Sequence, residues 1–184
     1  MEPKASILAL DLEGTLISNA MSQIPRPNLF EFLTSCNSLF PRIVMFTTVN
    51  ETKFRKIAAL LVSEGFAPKW FEDIEYVHWQ GHTKNLEFVP DSRIEEILLV
   101  DDFDQYVHVG QETRWVQIEC FEYPYELTDT GLVHALKTLE NRLSVAIDDE
   151  CRRQSLLLQG DPQEVDTLAW LAAAADTDGW ENET

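Results

Sequence analysis

A parallel five-stranded α/β fold is predicted by three features of the 184-residue chain. Short apolar runs recur between Ser6 and Phe121, stretches with helical periodicity lie between or after them, and two of the runs end on closely spaced acids. Strands that alternate with helices are joined by right-handed crossovers and pair in parallel. Ligands of such sheets collect at the C-terminal tips of the strands.

The first run, Ser6 to Leu10, is a short buried strand with Asp11 at its tip and Glu13, Gly14 and Thr15 just beyond. "IPRPNLFEFLTSC" places Pro27 at the first position of a helix and sets Leu29, Phe32, Leu33 and Cys36 on one face. "RIVMFTTVNE" is the second strand. Thr48 and Glu51 after it have the spacing of a capping box, opening a helix that buries Phe54, Ile57, Ala58 and Leu61 and stops at Gly65. "DIEYVHW", "EEILLVDDFD" and "ETRWVQIECF" are the third, fourth and fifth strands. "YELTDTGLVHALKTLENRL" closes the domain as a helix started near Thr128 or Asp129, with Leu132, Leu136, Leu139 and Leu143 inward. Trp70 and Trp115 belong to the core.

The expected division is a domain over residues 1–147 and an acidic tail over 148–184. The tail holds ten acids and two bases, out of a net charge of −18 for the chain. A charge of that sign repels phosphate backbones and argues against general nucleic-acid binding. Within the tail, "LAWLAAAA" is a short helix whose Leu168, Trp170 and Leu171 dock on the domain or hold a protein partner. Three cysteines without paired spacing support neither a disulfide framework nor a zinc finger. With no signal peptide and no membrane-length apolar run, the expected compartment is the cytoplasm.

Reactive side chains gather at the strand tips: Asp11 and Glu13 on the first, Thr47 on the second, Asp101 and Asp102 on the fourth. Lys84 lies in the connection between the third and fourth. Carboxylates with one Lys and one Thr suit a hard divalent cation such as Mg²⁺ together with a phosphoryl group. Asp11 is then a nucleophile toward phosphorus, and Glu13, two residues on, protonates the leaving oxygen and later deprotonates water. Thr47, Thr48 and Lys84 hold phosphoryl oxygens. The metal region comprises Asp11, Glu13, Asp101 and Asp102, although the Glu13 side chain is not expected to be a direct ligand. His78 and His82 straddle a strand end and a Gly instead of sharing a helix face, so His82 is read as a substrate-entrance residue and not as half of a metal pair.

In "DLEGT", "MFTT", Lys84 and "LLVDD", in that order, the chain resembles the haloacid dehalogenase (HAD) superfamily. Within it, "RPNLFEFL", "TKNL", "ILLVDD" and the closing-helix sequence are similar to the phosphatases of the RNA polymerase II C-terminal-domain group, over roughly residues 5–145. The resemblance implies a three-layer Rossmann-like fold, an aspartyl-phosphate on Asp11, and Asp102 as the direct metal ligand of the acidic pair. Two features depart from the pattern. Glu13 stands where the superfamily usually has Asp, as in the enolase-phosphatase branch, and the β insertion that grips the polymerase tail has little counterpart here. Only 35 residues separate Asp11 from Thr47, and 36 separate Thr47 from Lys84, so no sizeable cap domain fits. An open site favours a phosphoprotein substrate. A nucleotide, a nucleic-acid end or a small metabolite is the alternative, and a non-catalytic partner-binding module is the other class of function. Intact Asp11, Thr47, Lys84 and Asp102 argue against the module.

Overall fold

The computed structural model describes the backbone of residues 5–158 and the side chains of residues 5–145. Strands β1 (Ile7–Leu10), β2 (Arg42–Met45), β3 (Glu75–Tyr76), β4 (Ile97–Asp101) and β5 (Trp115–Gln117) form one all-parallel sheet in the order β3-β2-β1-β4-β5. Helix α1 (Leu29–Leu39) joins β1 to β2, α2 (Glu51–Ser63) leads from β2 toward β3, and α3 (Gly131–Leu158) follows β5. The chain divides into two compact units, Met1–Ser144 and Val145–Thr184. The expected tail helix with Leu168, Trp170 and Leu171 lies outside the described residues.

Register brings the reactive tips level with one another. Leu10 faces Met45 on one side and Val100 on the other, so Asp11 and Asp101 emerge side by side, and the Asp11 amide donates to the Val100 carbonyl at 3.0 Å. Side chains alternate across the sheet. Leu8, Leu10, Ile43, Met45, Leu98 and Val100 pack with the buried faces of all three helices. Ile7, Ala9, Val44, Ile97 and Leu99 face the opposite way, onto Phe46, Val77, Leu86 and Val89. That second face is covered by the β3–β4 connection, where short 3₁₀ turns at Leu86–Phe88 and Ile94–Glu96 take the place of an α-helix. The segment that carries Lys84 is therefore itself part of the core cover.

Two helix starts differ from the sequence expectation. Asn28 precedes α1 with φ of 65°, the left-handed region, so Pro27 cannot be the first helical residue and the helix begins at Leu29. Before α2 the cap is Asn50, whose side chain accepts from the Lys53 amide at 3.0 Å; Thr48 sits two residues too far from the helix to cap it. This leaves Thr48 exposed at the sheet edge. Helix α3 also runs to Leu158, beyond the Leu143 at which the apolar periodicity fades.

Arg26 ties the β1 loop to the start of α3. Its buried guanidinium makes a bidentate pair with Asp129 at 2.7 and 2.9 Å and donates to the carbonyls of Glu119 at 2.8 Å and Gly14 at 3.2 Å. Burial of Asp129 opposes its ionisation, yet the Arg26 hydrogen bonds outweigh it and hold the carboxyl below the usual range. The approach is close enough that a Cβ on Gly131 would stand 2.1 Å from an Arg26 nitrogen. Replacing Arg26 by Met removes the charge partner of the half-buried Asp129 and a donor from the Gly14, Thr15 and Glu119 carbonyls, so urea denaturation should show a loss of about 1.5–3 kcal/mol. A change below about 1 kcal/mol would contradict the bridging role, since that is the range of ordinary surface pairs.

Candidate active site

Three strand tips supply the site and one loop completes it. β1 delivers Asp11 and β4 delivers Asp101 and Asp102 because their register is in step. Thr47 follows β2 by two residues and is fully buried. Lys84 reaches them from the β3–β4 connection, fixed by a hydrogen bond from its own amide to the Tyr106 carbonyl at 2.7 Å. The neighbouring turn is held by buried Gln111, whose side chain accepts from the Leu86 amide at 2.9 Å and donates to the Asn85 side chain at 2.7 Å.

The Lys84 ammonium lies 2.7 Å from Asp11 Oδ1 and 2.5 Å from Asp101 Oδ2, with no exposed surface on the Lys side chain. Burial alone would lower its pKa, but the two carboxylates outweigh burial and raise it, so the group stays charged. Burial pushes Asp11 up to about 7, against the pull of Lys84 and with the help of the Asp101 charge. Asp101 is raised as well, again chiefly by burial and against Lys84. Its second oxygen accepts from the Phe103 amide at 2.9 Å, so both Asp101 oxygens are engaged. Asp102 is half-buried and accepts from the Thr15 hydroxyl at 3.1 Å.

Carboxylate oxygens of Asp11, Asp101 and Asp102 lie within 4.8 Å of one another. Fully ionised, the three acids carry three negative charges against one Lys, an excess of two that a divalent cation matches. The residues present fit such an ion. Gly14 makes room for the cluster: its φ is +72°, and a Cβ there would lie 2.3 Å from Asp102 Oδ2. Glu13 departs from its place in the sequence-derived metal region. It is not among the carboxylates that gather within 4.8 Å, and its Oε1 accepts from the Ala20 amide at 2.6 Å.

Beside Thr47 a cleft of about 530 Å³ opens, and Thr48 and His82 line it with Asn50, Tyr76, Trp79 and Tyr106. Trp79 is a residue that sequence reasoning missed; its indole N–H donates to the Thr47 carbonyl at 2.8 Å. Trp115, read as core, does the same for the other tip by donating to the Asp101 carbonyl at 2.9 Å. Arg26 and Gln111 were missed too. Their signal was a buried-looking polar residue inside a loop, which no local pattern distinguishes from a surface one.

A family model described as NLI interacting factor-like phosphatase matches residues 6–151. The chain belongs to this family. NLI interacting factor-like phosphatases are the C-terminal-domain phosphatase family of the HAD superfamily, and the all-parallel sheet without a sizeable cap agrees with that fold. The activity of the family is phosphoric monoester hydrolysis, so the protein is a phosphatase. HAD-type phosphatases are generally metal-dependent, in keeping with the aspartate cluster. A second model, described as Antitoxin MazE-like, matches residues 143–180, a fifth of the chain. No curated protein matches. Among the described residues, no helix is long and apolar enough to cross a membrane.

A cation held by Asp11 would compete with its proton, because burial pushes that carboxyl up to about 7. The sign follows directly: below that value Asp11 is protonated and binding releases a proton, whereas above it none is released. Calorimetric affinity for Mg²⁺ should rise by up to about tenfold per pH unit from pH 5.5 and level off above about pH 7.5. Gly14→Ala should weaken it sharply at every pH by displacing Asp102. Affinity independent of pH across this window would contradict the buried Asp11 as a ligand.

Proposed function

We propose that the protein is a Mg²⁺-dependent phosphomonoester hydrolase that works through an aspartyl-phosphate on Asp11, with phosphoprotein as its leading substrate class. The observation that carries this reading is the Lys84 ammonium at 2.7 Å from Asp11, deep at the sheet edge, with an excess of carboxylate around it. A bound Mg²⁺ supplies charge neutralisation for Asp11 and for the phosphoryl oxygens. Asp11 and Asp102 are the carboxylates that hold it. Asp101, with both oxygens already taken, orients Lys84.

The reaction then runs on the chain's own groups. The free oxygen of Asp11 attacks phosphorus while the bond from phosphorus to the ester oxygen breaks. Glu13 gives that oxygen a proton; with Oε1 on the Ala20 amide, Oε2 is the oxygen that carries it. In the second half Glu13 removes a proton from water, which attacks the aspartyl-phosphate and releases phosphate and the Asp11 carboxylate. Lys84 and the Thr47 hydroxyl hold equatorial oxygens as charge builds on them. With no cap over the strand tips among the described residues, a phosphorylated side chain on a protein surface can reach the site.

Aryl-phosphate turnover should require added Mg²⁺, and Asp11→Asn should lower it by roughly three orders of magnitude or more while the protein stays folded. Turnover that survives a chelator, or an active Asp11→Asn protein, would rule out this mechanism. Glu13→Gln should slow steady-state turnover about 10²–10⁴-fold and leave Mg²⁺ affinity nearly intact. Loss of Mg²⁺ binding in Glu13→Gln, with single-turnover rates unchanged, would reassign Glu13 to the metal.

The acidic tail is proposed as a protein-binding element separate from catalysis, supported by its ten acids and by the likeness of residues 143–180 to an antitoxin model. The compartment proposed for the protein is the cytoplasm, supported by the absence of paired cysteine spacing in the sequence.

A further inference from the structure

The cleft beside Thr47 has walls of a particular chemistry. Trp79, Tyr76 and Tyr106 supply aromatic surface, His78 and His82 supply imidazoles, and none of its lining residues is Lys, Arg, Asp or Glu. Of the residues proposed to hold the phosphoryl group, Thr47 lines this ring-rich space together with Thr48 and His82. The rings are fixed. Trp79 is pinned through its indole N–H to the Thr47 carbonyl and packs edge-on against Phe46, with centroids 5.7 Å apart. The Tyr106 ring stands 6.3 Å from Trp79 and 5.2 Å from the Lys84 ammonium. Farther out, Tyr76 meets His78 edge-on at 5.1 Å, and His78, Gln80 and His82 are exposed at the mouth.

Distances from the reacting centre decide what fits. The aromatic wall adjoins the residues proposed to hold the phosphoryl group: Trp79 bonds the Thr47 carbonyl, and the Tyr106 ring stands 5.2 Å from the Lys84 ammonium. A substrate whose ring is bonded to the ester oxygen places that ring against the wall at once. In a nucleoside monophosphate a ribose stands between, and its hydroxyls would press against the Tyr106 and Trp79 faces. A seryl or threonyl phosphate presents a methylene and then the peptide backbone, leaving the rings without a partner. The exposed polar mouth leaves room for a peptide to run on either side. No Lys or Arg lines the cleft to receive a second phosphate, which disfavours polyphosphates.

From this geometry we infer that the cleft is a specificity pocket for the ring of a phosphotyrosyl side chain, packed against the wall that Trp79 and Tyr106 form together. The inference rests on the proposed chemistry at Asp11 and narrows its substrate class. The reaction balances as a hydrolysis: the bond from phosphorus to the phenolic oxygen breaks, the phenolic oxygen leaves with a proton from Glu13, and water supplies the oxygen of the released phosphate.

Aryl esters also leave more readily for chemical reasons, so binding separates the pocket from leaving-group ability. Two non-hydrolysable peptides of the same flanking sequence serve as probes on the full chain with Mg²⁺. One carries a benzylic phosphonate in place of phosphotyrosine, the other an alkyl phosphonate in place of phosphoserine. The benzylic peptide should bind about tenfold or more tightly, the scale of one good ring-stacking contact. Tyr106→Leu and Trp79→Leu should each shrink that ratio toward one. His82→Ala, an exposed change that carries no folding risk, should shrink it by a smaller factor. Equal affinities for the two peptides, or a ratio unmoved by all three variants, would overturn the pocket while leaving the Asp11 mechanism standing. Adenosine monophosphate that binds more tightly than the benzylic peptide would also overturn it and assign the cleft to a nucleobase. Loss of the Asp11 mechanism would show separately, as turnover that survives Asp11→Asn with the binding ratio intact.

Discussion

Lys84 is a buried ammonium held between two carboxylates that belong to adjacent strands, and the rest of the site is arranged around the cost of keeping it there. Removing one partner from such a buried pair is strongly destabilising, on the order of 3–5 kcal/mol, because an uncompensated charge is left in an apolar surrounding. Asp11 and Asp101 meet that demand only because β1 and β4 pair in a register that places their tips level. The same burial raises the proton affinity of Asp11 and Asp101, so the pair is tuned by one constraint. Asp102 stands beside this pair, and the three aspartates together form a cluster that could hold a cation.

Support for that arrangement comes from groups that touch no reacting atom. Indole N–H groups of Trp79 and Trp115 bond the carbonyls of Thr47 and Asp101, so the strand tips cannot fray at the points where the reactive side chains leave them. Arg26 holds the carbonyl of Gly14 on one side and Asp129 at the start of α3 on the other. The loop carrying Glu13 and Thr15 is thus locked to a helix more than a hundred residues away in the chain. Glycines at positions 14 and 131 are needed for the same reason, since a Cβ at either would collide with a charged group.

The sheet's two faces are unequal, and that inequality shapes the mouth of the site. All three helices pack on one face, while the β3–β4 connection wraps the other in short turns. A helix there would present a regular, closed surface. The irregular segment instead carries Lys84 inward and turns Trp79 and His82 toward the cleft, so one stretch of chain covers the core, completes the charge cluster and lines the cleft beside Thr47.

Much of this was legible in the sequence. Apolar runs ending on Asp11 and on Asp101–Asp102 gave the strands and the edge at which they converge, and the order of acid, Thr, Lys and acid pair gave the phosphatase chemistry. Strand and helix periods are local, and so is the rule that parallel tips gather ligands. Local patterns misplaced what depends on one residue's backbone or on a distant partner: Asn50 caps α2 in place of Thr48, and Asn28 in a left-handed conformation delays α1. Glu13 looks equivalent to the other acids, yet one of its oxygens is taken by the Ala20 amide and it stands outside the aspartate cluster. Arg26, Gln111 and Trp79 bear no sequence mark because their partners are carbonyls and side chains brought near only by folding. The residue types at the strand tips were set by sequence; which carboxylates share the buried charge, and the aromatic cleft beside them, were decided by tertiary packing, because electrostatic coupling depends on distance and burial that no local spacing encodes.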